Sequence, residues 1–150
     1  MNRLAITLLL IFTTLLPAAA QKGLCVNTFF GNQIAGAHEV HVTGAPADSL
    51  GLYRYRSIEF TDTTLMTRVT NAVTADGARA DQKELDMRNG HVYYGFYKLA
   101  PIPHPDKPRK QLIRYMIYLD HRQAPQPANR LTLVYLETDL NARCVKRIFK

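Results

Sequence analysis

The chain has 150 residues, of which 47% are hydrophobic and none is tryptophan, and its formal net charge at neutral pH is +7. This length suits one domain with a single sizeable core. The positive charge favours anionic partners such as lipid headgroups, acidic polysaccharide or nucleic acid, without selecting among them.

The first twenty residues have the pattern of a signal peptide. Arg3 provides a positive start, an apolar run from Leu4 to Leu16 follows, and the small residues Ala18 to Ala20 end the segment. The apolar run is shorter than the roughly 20 residues of a membrane-spanning helix, and small residues suit a signal peptidase. We therefore predict a cleaved signal peptide over 1–20 and a single exported domain over 21–150. An uncleaved membrane anchor is the alternative.

Two cysteines, Cys25 and Cys144, lie near the two ends of the predicted mature domain. In an oxidising compartment an even pair predicts a disulfide, which by the chain-entropy relation would stabilise the fold by about 5 kcal/mol. The alternative is two buried thiols that pack as small hydrophobic residues. Neither cysteine stands in a Cys-x-x-Cys motif, so no redox role is predicted.

The mature chain begins with a leader in which apolar residues are mixed with glycines. Residues 21–37 predict an irregular segment packed on the core, and alternation over His38–Thr43 predicts a strand. The next strand, Leu52–Phe60, breaks its own pattern, because its arginines share the parity of its last apolar residues. A β-bulge near Arg56–Ser57 would shift the register and place the arginines in solvent.

The rest of the chain predicts one helix, four strands and a closing helix. The helix follows a cap at Thr61 or Asp62, and Asn89-Gly90 predicts a two-residue hairpin. The later elements are Glu84–Arg88, His91–Leu99, Gln111–Leu119, Arg130–Glu137 and the helix Asp139–Phe149, with a proline-rich loop over 101–108. The predicted class is α+β: a mainly antiparallel sheet of about six strands, ordered β-β-α-β-β-β-β-α, with helices packed on one face.

Both faces of the central strands carry apolar side chains, so something is expected to cover the second face. The leader over 24–34 folding across it is one alternative, and a homodimer contact through the sheet is another. The third is a recognition surface, because tyrosine and arginine are favoured at binding hot spots. Its candidate residues are Tyr93, Tyr97, Arg114 and Tyr118.

Motifs for catalysis, cofactors and metals are missing from the sequence. Ser49 and Ser57 lie outside any Gly-x-Ser-x-Gly pattern, and the three-residue spacing of His38 and His41 points them to opposite faces of a strand. The glycines do not form a phosphate-binding loop. We therefore predict no catalytic, cofactor-binding or metal-binding residue and no cofactor. Nucleic acid is not expected as a partner of an exported protein.

Several segments together resemble a family of small, exported, uncharacterised proteins from the Bacteroidetes group. They are Gln-Lys-Gly-Leu-Cys-Val-Asn (21–27), Tyr-Arg-Ser-Ile-Glu-Phe (55–60), Arg-Asn-Gly (88–90), Arg-Tyr-Met-Ile-Tyr (114–118) and Leu-Thr-Leu-Val-Tyr-Leu-Glu (131–137). The resemblance implies a compact envelope or secreted α+β domain of unknown function, and it transfers no active site.

The function remains unknown at this stage, and we expect a non-catalytic, exported protein-interaction or ligand-binding module of the cell envelope. Its location would be periplasmic, cell-surface or secreted, with the membrane crossed only through the signal peptide. An envelope protein or a second copy of the chain would be its partner. The alternative is an enzyme acting on envelope polysaccharide or peptide through an unrecognised carboxylate or histidine, which predicts a cleft lined by a perturbed titratable pair.

Overall fold

The computed structural model describes residues 23–31, 34–42 and 44–149. The predicted signal peptide lies outside these ranges, so it stays a prediction. Among the described helices, none combines the length and the apolar character that a membrane crossing requires.

The described residues form one six-stranded antiparallel sheet with helices on both sides. In chain order the elements are a leader 3₁₀ helix Cys25–Phe29, β1 Ala37–Val42, α1 Ala45–Asp48, β2 Leu52–Phe60, α2 Thr63–Gly77, β3 Gln82–Arg88, β4 His91–Pro103, β5 Gln111–Asp120, a second 3₁₀ helix His121–Gln123, β6 Leu131–Thr138 and α3 Ala142–Ile148. The strands lie in the order β1-β2-β6-β5-β4-β3. The predicted α+β class and element order are confirmed.

Local chemistry accounts for the best-defined boundaries. Asp62 caps α2, because its side chain accepts a hydrogen bond from the backbone N–H of Leu65 at 2.8 Å. Asn89 and Gly90 have φ of 50° and 77°, the two positive values that a type I′ hairpin turn requires. The hairpin between β3 and β4 is therefore the one that the sequence predicts.

The helices cover opposite faces of the sheet, whereas the sequence predicted them on one face. The face that we call the helix face packs against α2 and the leader 3₁₀ helix, and its buried residues include Met66, Tyr118 and Leu133. The opposite face packs against α3, with Val145 and Leu136 in a separate cluster. The reason is that the central strands are apolar on both sides, and each side then needs cover.

The predicted disulfide is not formed, because its two cysteines are on different sides of the sheet. Cys25 belongs to the leader 3₁₀ helix on the helix face, and Cys144 belongs to α3 on the opposite face. Both thiols are free. A disulfide requires Cα atoms within about 7 Å of each other, and the sheet lies between these two elements.

A buried carboxylate holds the leader 3₁₀ helix onto α2. Asp76 is 1% exposed, and its two oxygens accept the backbone N–H groups of Cys25 and Val26, each at 2.9 Å. The guanidinium of Arg79 contacts the same carboxylate at 2.9 Å. These donors stand at the start of the leader helix, where no intrahelical acceptor exists for them. The leader packs in the cluster that contains Tyr97 and Tyr118, as the first sequence alternative expects.

Replacing Asp76 by Ala should destabilise the protein by about 3 kcal/mol, because a buried N–H group loses a charged acceptor. Urea unfolding monitored by circular dichroism measures this change. The matched control is Asp81→Ala, which removes an exposed carboxylate and should stay within about 0.5 kcal/mol of the unaltered chain. Equal stability of the two variants would show that the leader does not depend on Asp76.

Candidate functional site

The two arginines of β2 lie on the helix face. The bulge in β2 is between Leu52 and Arg54, not near Arg56–Ser57 as predicted, so strict alternation continues from Arg54 to Phe60. The apolar end of this row, Ile58 and Phe60, lies in the core. The arginine side chains are 40% and 21% exposed. The arginines and the last apolar residues of β2 therefore share a parity because they lie on one face of the strand. This face is buried in the core at one end and charged and partly exposed at the other.

Cross-strand pairing gathers six polar residues at this end of the helix face. Arg54 on β2 is opposite Glu137 on β6, which is opposite Arg114 on β5. One step further along, Arg56 is opposite Tyr135. Glu39 on β1 completes the set. We call this group the arginine site: Glu39, Arg54, Arg56, Arg114, Tyr135 and Glu137.

Glu137 is the buried centre of the arginine site, with 4% of its surface exposed. The Tyr135 hydroxyl donates to Glu137 Oε1 at 2.9 Å, and Arg54 Nη1 lies 3.6 Å from the same oxygen. Burial, and then the Glu137 charge, raises the pKa of Tyr135. The tyrosine is therefore protonated at neutral pH and acts as a hydrogen-bond donor.

Arg114 is fixed by the backbone of the neighbouring strand. It is 8% exposed, and its Nε donates to the carbonyl oxygen of Ala100 at 2.7 Å. The pairing of β4 with β5 is irregular between Leu99 and Ile102. Ala100 lies inside this irregularity, where a ladder partner is missing and its carbonyl accepts the arginine instead.

Arg56 is fixed by a carboxylate and an aromatic ring. Its Nη2 and Nε lie 3.0 and 3.2 Å from Glu39 Oε1, and its guanidinium carbon is 4.9 Å from the centroid of the Phe30 ring. The other carboxylate oxygen of Glu39 accepts the backbone N–H of Gly31 at 2.7 Å. Arg56 is thus paired and stacked at once, which arginine does better than lysine.

An open groove of about 490 Å³ leads along β1 and β2 to Arg56. Its lining is polar beside the arginine and apolar at the other end. The lining residues are Gly31, Ile34, Ala37, Glu39, His41, Arg56 and Ile58.

Arg54 is the least satisfied member of the arginine site. Its Nε is buried and has no hydrogen-bond partner within the described ranges, and its contact with Glu137 at 3.6 Å exceeds normal hydrogen-bond length. Three arginines and two carboxylates give the site a formal charge of +1. A guanidinium with spare donors suits a carboxylate or phosphate. As for metals, the described residues hold no group of three or more His, Cys, Asp and Glu side chains fit to bind one.

The structure separates the four residues of the predicted recognition surface. Tyr97 and Tyr118 are 4% and 2% exposed, and the Tyr118 hydroxyl lies 2.9 Å from Thr70 Oγ1 on α2. The Tyr97 ring lies so close to Gly77 of α2 that a Cβ there would be 2.5 Å from it. These two tyrosines are core residues.

Tyr93 and Arg114 have different surroundings. The half-buried ring of Tyr93 carries the Arg88 guanidinium 3.7 Å above its centroid, beside the β3–β4 turn. Arg114 is the member of the predicted set that enters the arginine site. Sequence reasoning missed the other five members of the site, and the broken pattern of β2 was the signal that could have found its two arginines. The five are Glu39, Arg54, Arg56, Tyr135 and Glu137.

The comparisons with known proteins give a family and no function. Residues 13–149 match the model of a family described as "Family of unknown function (DUF6108)". No curated protein matches the chain, and no solved structure matches it. The matched range contains the whole of the arginine site.

Replacing Tyr135 by Phe should change how stability depends on alkaline pH. In the unaltered chain the raised pKa keeps Tyr135 protonated when the unfolded chain ionises near pH 10, so stability is full below pH 10 and falls above it. Above pH 10 the free energy of unfolding of the variant should fall less steeply than that of the unaltered chain. The difference should be up to about 1.4 kcal/mol for each pH unit. At pH 7 the lost hydrogen bond should cost about 1–3 kcal/mol.

Urea unfolding between pH 7 and 11 measures both effects. Tyr93→Phe is the control, since it deletes a hydroxyl outside the arginine site. Identical alkaline slopes for Tyr135→Phe and the unaltered chain would contradict the buried environment assigned to Tyr135.

Proposed function

The chain belongs to the DUF6108 family of unknown function, and we propose that it is an exported, non-catalytic module of the cell envelope that binds an anionic group at the arginine site. The observation that carries this proposal is Arg54, whose buried Nε has no acceptor within the described residues. A buried donor without a partner costs about 1–3 kcal/mol. Because 40% of the Arg54 side chain is exposed, its guanidinium can turn towards an incoming carboxylate or phosphate, which would supply the acceptors.

The other members of the site are held in place, which leaves Arg54 to change partner. Arg56 is fixed by Glu39 and Phe30, and Arg114 by a backbone carbonyl. Among the described residues, Arg54 has the long contact with Glu137 as its one ion pair, and 40% of its side chain is exposed. Preorganised neighbours reduce the entropy that is lost when a ligand binds. In this site, Arg54 is the side chain that has to become ordered.

Electrostatics favour an anion over a cation or a neutral ligand. The site has a formal charge of +1, and its central charges are largely withdrawn from water, where charge–charge interactions are stronger. Outside the predicted signal the chain has 18 Lys and Arg against 12 Asp and Glu, which gives a net charge of +6. This charge raises the encounter rate with acidic ligands.

A binding role, rather than catalysis, fits the titratable groups of the site. Glu39 is engaged by Arg56 and by the N–H of Gly31, and Glu137 by Tyr135 and Arg54. Tyr135, with its raised pKa, gives up its proton reluctantly. None of these three is arranged as a base aimed at open space. These engaged groups leave little capacity for proton transfer, which supports a binding role over catalysis.

Titration with small anions tests the proposed site directly. Succinate and phosphate should each raise the melting temperature of the full chain, exported and purified, while neutral succinamide should not. Replacing Arg54 by Gln should weaken binding about tenfold or more, because a charge-assisted pair is lost. Arg143→Gln, the same change at an exposed position of α3, should leave affinity unchanged. If both variants bound the anions equally weakly, binding would depend on the overall charge of the protein and not on the arginine site.

Export is tested independently through the N-terminus of the protein. Expressed with its full N-terminal segment in a Gram-negative host, the chain should be recovered from the envelope fraction starting at Gln21. Ala20→Arg places a large residue at the predicted cleavage position and should leave the precursor uncut, whereas Lys22→Arg should be processed normally. Intact-mass spectrometry of the purified protein reads the cleavage site. An unprocessed cytosolic chain would refute the export part of the proposal.

A further inference from the structure

The two edge strands of the sheet are protected to different degrees against pairing with a further strand. At one edge, β3 carries Lys83, Glu84, Asp86 and Arg88, and its pairing with β4 is irregular between Asp86 and Met87. Charges and bulges of this kind prevent an edge strand from adding another strand. β3 is therefore a guarded edge.

The other edge, β1, lacks these devices. Its sequence Ala-His-Glu-Val-His-Val contains neither lysine nor proline, and its pairing with β2 is regular from Ala37 to Val42. Its single charge, Glu39, is neutralised by Arg56 on the helix face. Val40 is 44% exposed. Among the described residues no strand pairs with the outer side of β1. Apart from the Ala37 N–H, which donates to the carbonyl oxygen of Ile34, the outward backbone groups of β1 are therefore available to a partner strand.

We propose that β1 pairs antiparallel with β1 of a second copy of this chain, about a two-fold axis that passes through Val40. In this register Val40 is opposite the partner's Val40, Glu39 is opposite the partner's His41, and His38 is opposite the partner's Val42. The two sheets join into one sheet of twelve strands. This inference shares Glu39 with the arginine site, but it does not rest on the proposed function.

Side-chain chemistry selects this register over its neighbours. Glu39 accepts a hydrogen bond from an imidazole N–H of the partner's His41, and two-fold symmetry repeats the pair. A register centred on Glu39 would place two carboxylates opposite each other, which is unfavourable. A register centred on His41 would place two imidazole rings opposite each other, and Glu39 would then have no histidine of the second copy opposite it. Shifts by a single residue would oppose side chains from different faces.

The pairing also brings the second copy to the groove described above. Glu39 and His41 both line that groove, so each copy would contribute a histidine beside the other copy's carboxylate. A two-fold axis normal to the sheet keeps both helix faces, and hence both arginine sites, on one side of the dimer. One strand from each copy makes a small interface compared with about 800 Å² per partner in stable complexes. The dimer should therefore dissociate on dilution.

Sedimentation equilibrium of the full chain, exported and purified, should show a concentration-dependent monomer–dimer equilibrium. Val40→Lys should abolish the dimer, because two ammonium groups would face each other at the axis. His41→Lys should tighten association, since two Lys–Glu39 pairs form across the interface, and His41→Glu should weaken it. Each change at position 41 should alter the dissociation constant about two- to thirtyfold, given the usual strength of two cross-strand charge pairs.

The substitutions at position 41 have the opposite effect within one copy, which separates association from folding. Position 41 is opposite Arg56 on β2, so His41→Lys should lower the melting temperature of the monomer while it strengthens the dimer. Met87→Lys, at an exposed position of β3, is the matched control and should leave dimerisation unchanged.

Three results would overturn the proposal: a monomer for both the unaltered chain and His41→Lys, a dimer that survives Val40→Lys, or a dimer lost in Met87→Lys. Succinate titration of the Val40→Lys monomer shows separately whether the arginine site binds anions, so the two proposals fail independently.

Discussion

The carboxylate of Asp76 is the constraint on which the helix face depends. It lies at the end of α2, and it holds the first two N–H groups of the leader 3₁₀ helix inside the protein. That anchor places Phe29 edge-on to Phe60, with ring centroids 5.8 Å apart, and Phe30 beside Arg56. One buried charge thereby closes the core over β2 and supplies the aromatic wall of the arginine site.

The arginine site lies where that cover ends. α2 and the leader cover the apolar half of the helix face, and the row of side chains on β2 changes from Phe60 and Ile58 to Arg56 and Arg54 as the cover stops. Buried charges are stable only when they are paired, and Glu39 and Glu137 provide this pairing from the strands on either side. The mismatch between three arginines and two carboxylates gives the site its capacity for an anion.

Local sequence patterns predicted the helices and strands well, but they could not predict contacts between residues that are far apart in the sequence. Asn89-Gly90, the Asp62 cap and strand alternation define elements within a few residues, and together they gave the class and order. Which face α3 covers depends on contacts with strands far away in sequence, so the faces and the Cys25–Cys144 bridge were predicted wrongly. The arginine site was missed for the same reason, because Arg54 and Glu137 are 83 positions apart and meet only through strand pairing.

The close approach of α2 to β4 has a consequence for how this sequence can diverge. The Tyr97 ring fills the space beside Gly77 and Gly95, and a Cβ at either glycine would stand 2.5 or 2.6 Å from it. A methyl group at one glycine is therefore compatible with the fold only if the ring becomes smaller or moves. We therefore expect positions 77, 95 and 97 to vary together. Related chains should either keep both glycines and a large ring or differ at all three positions.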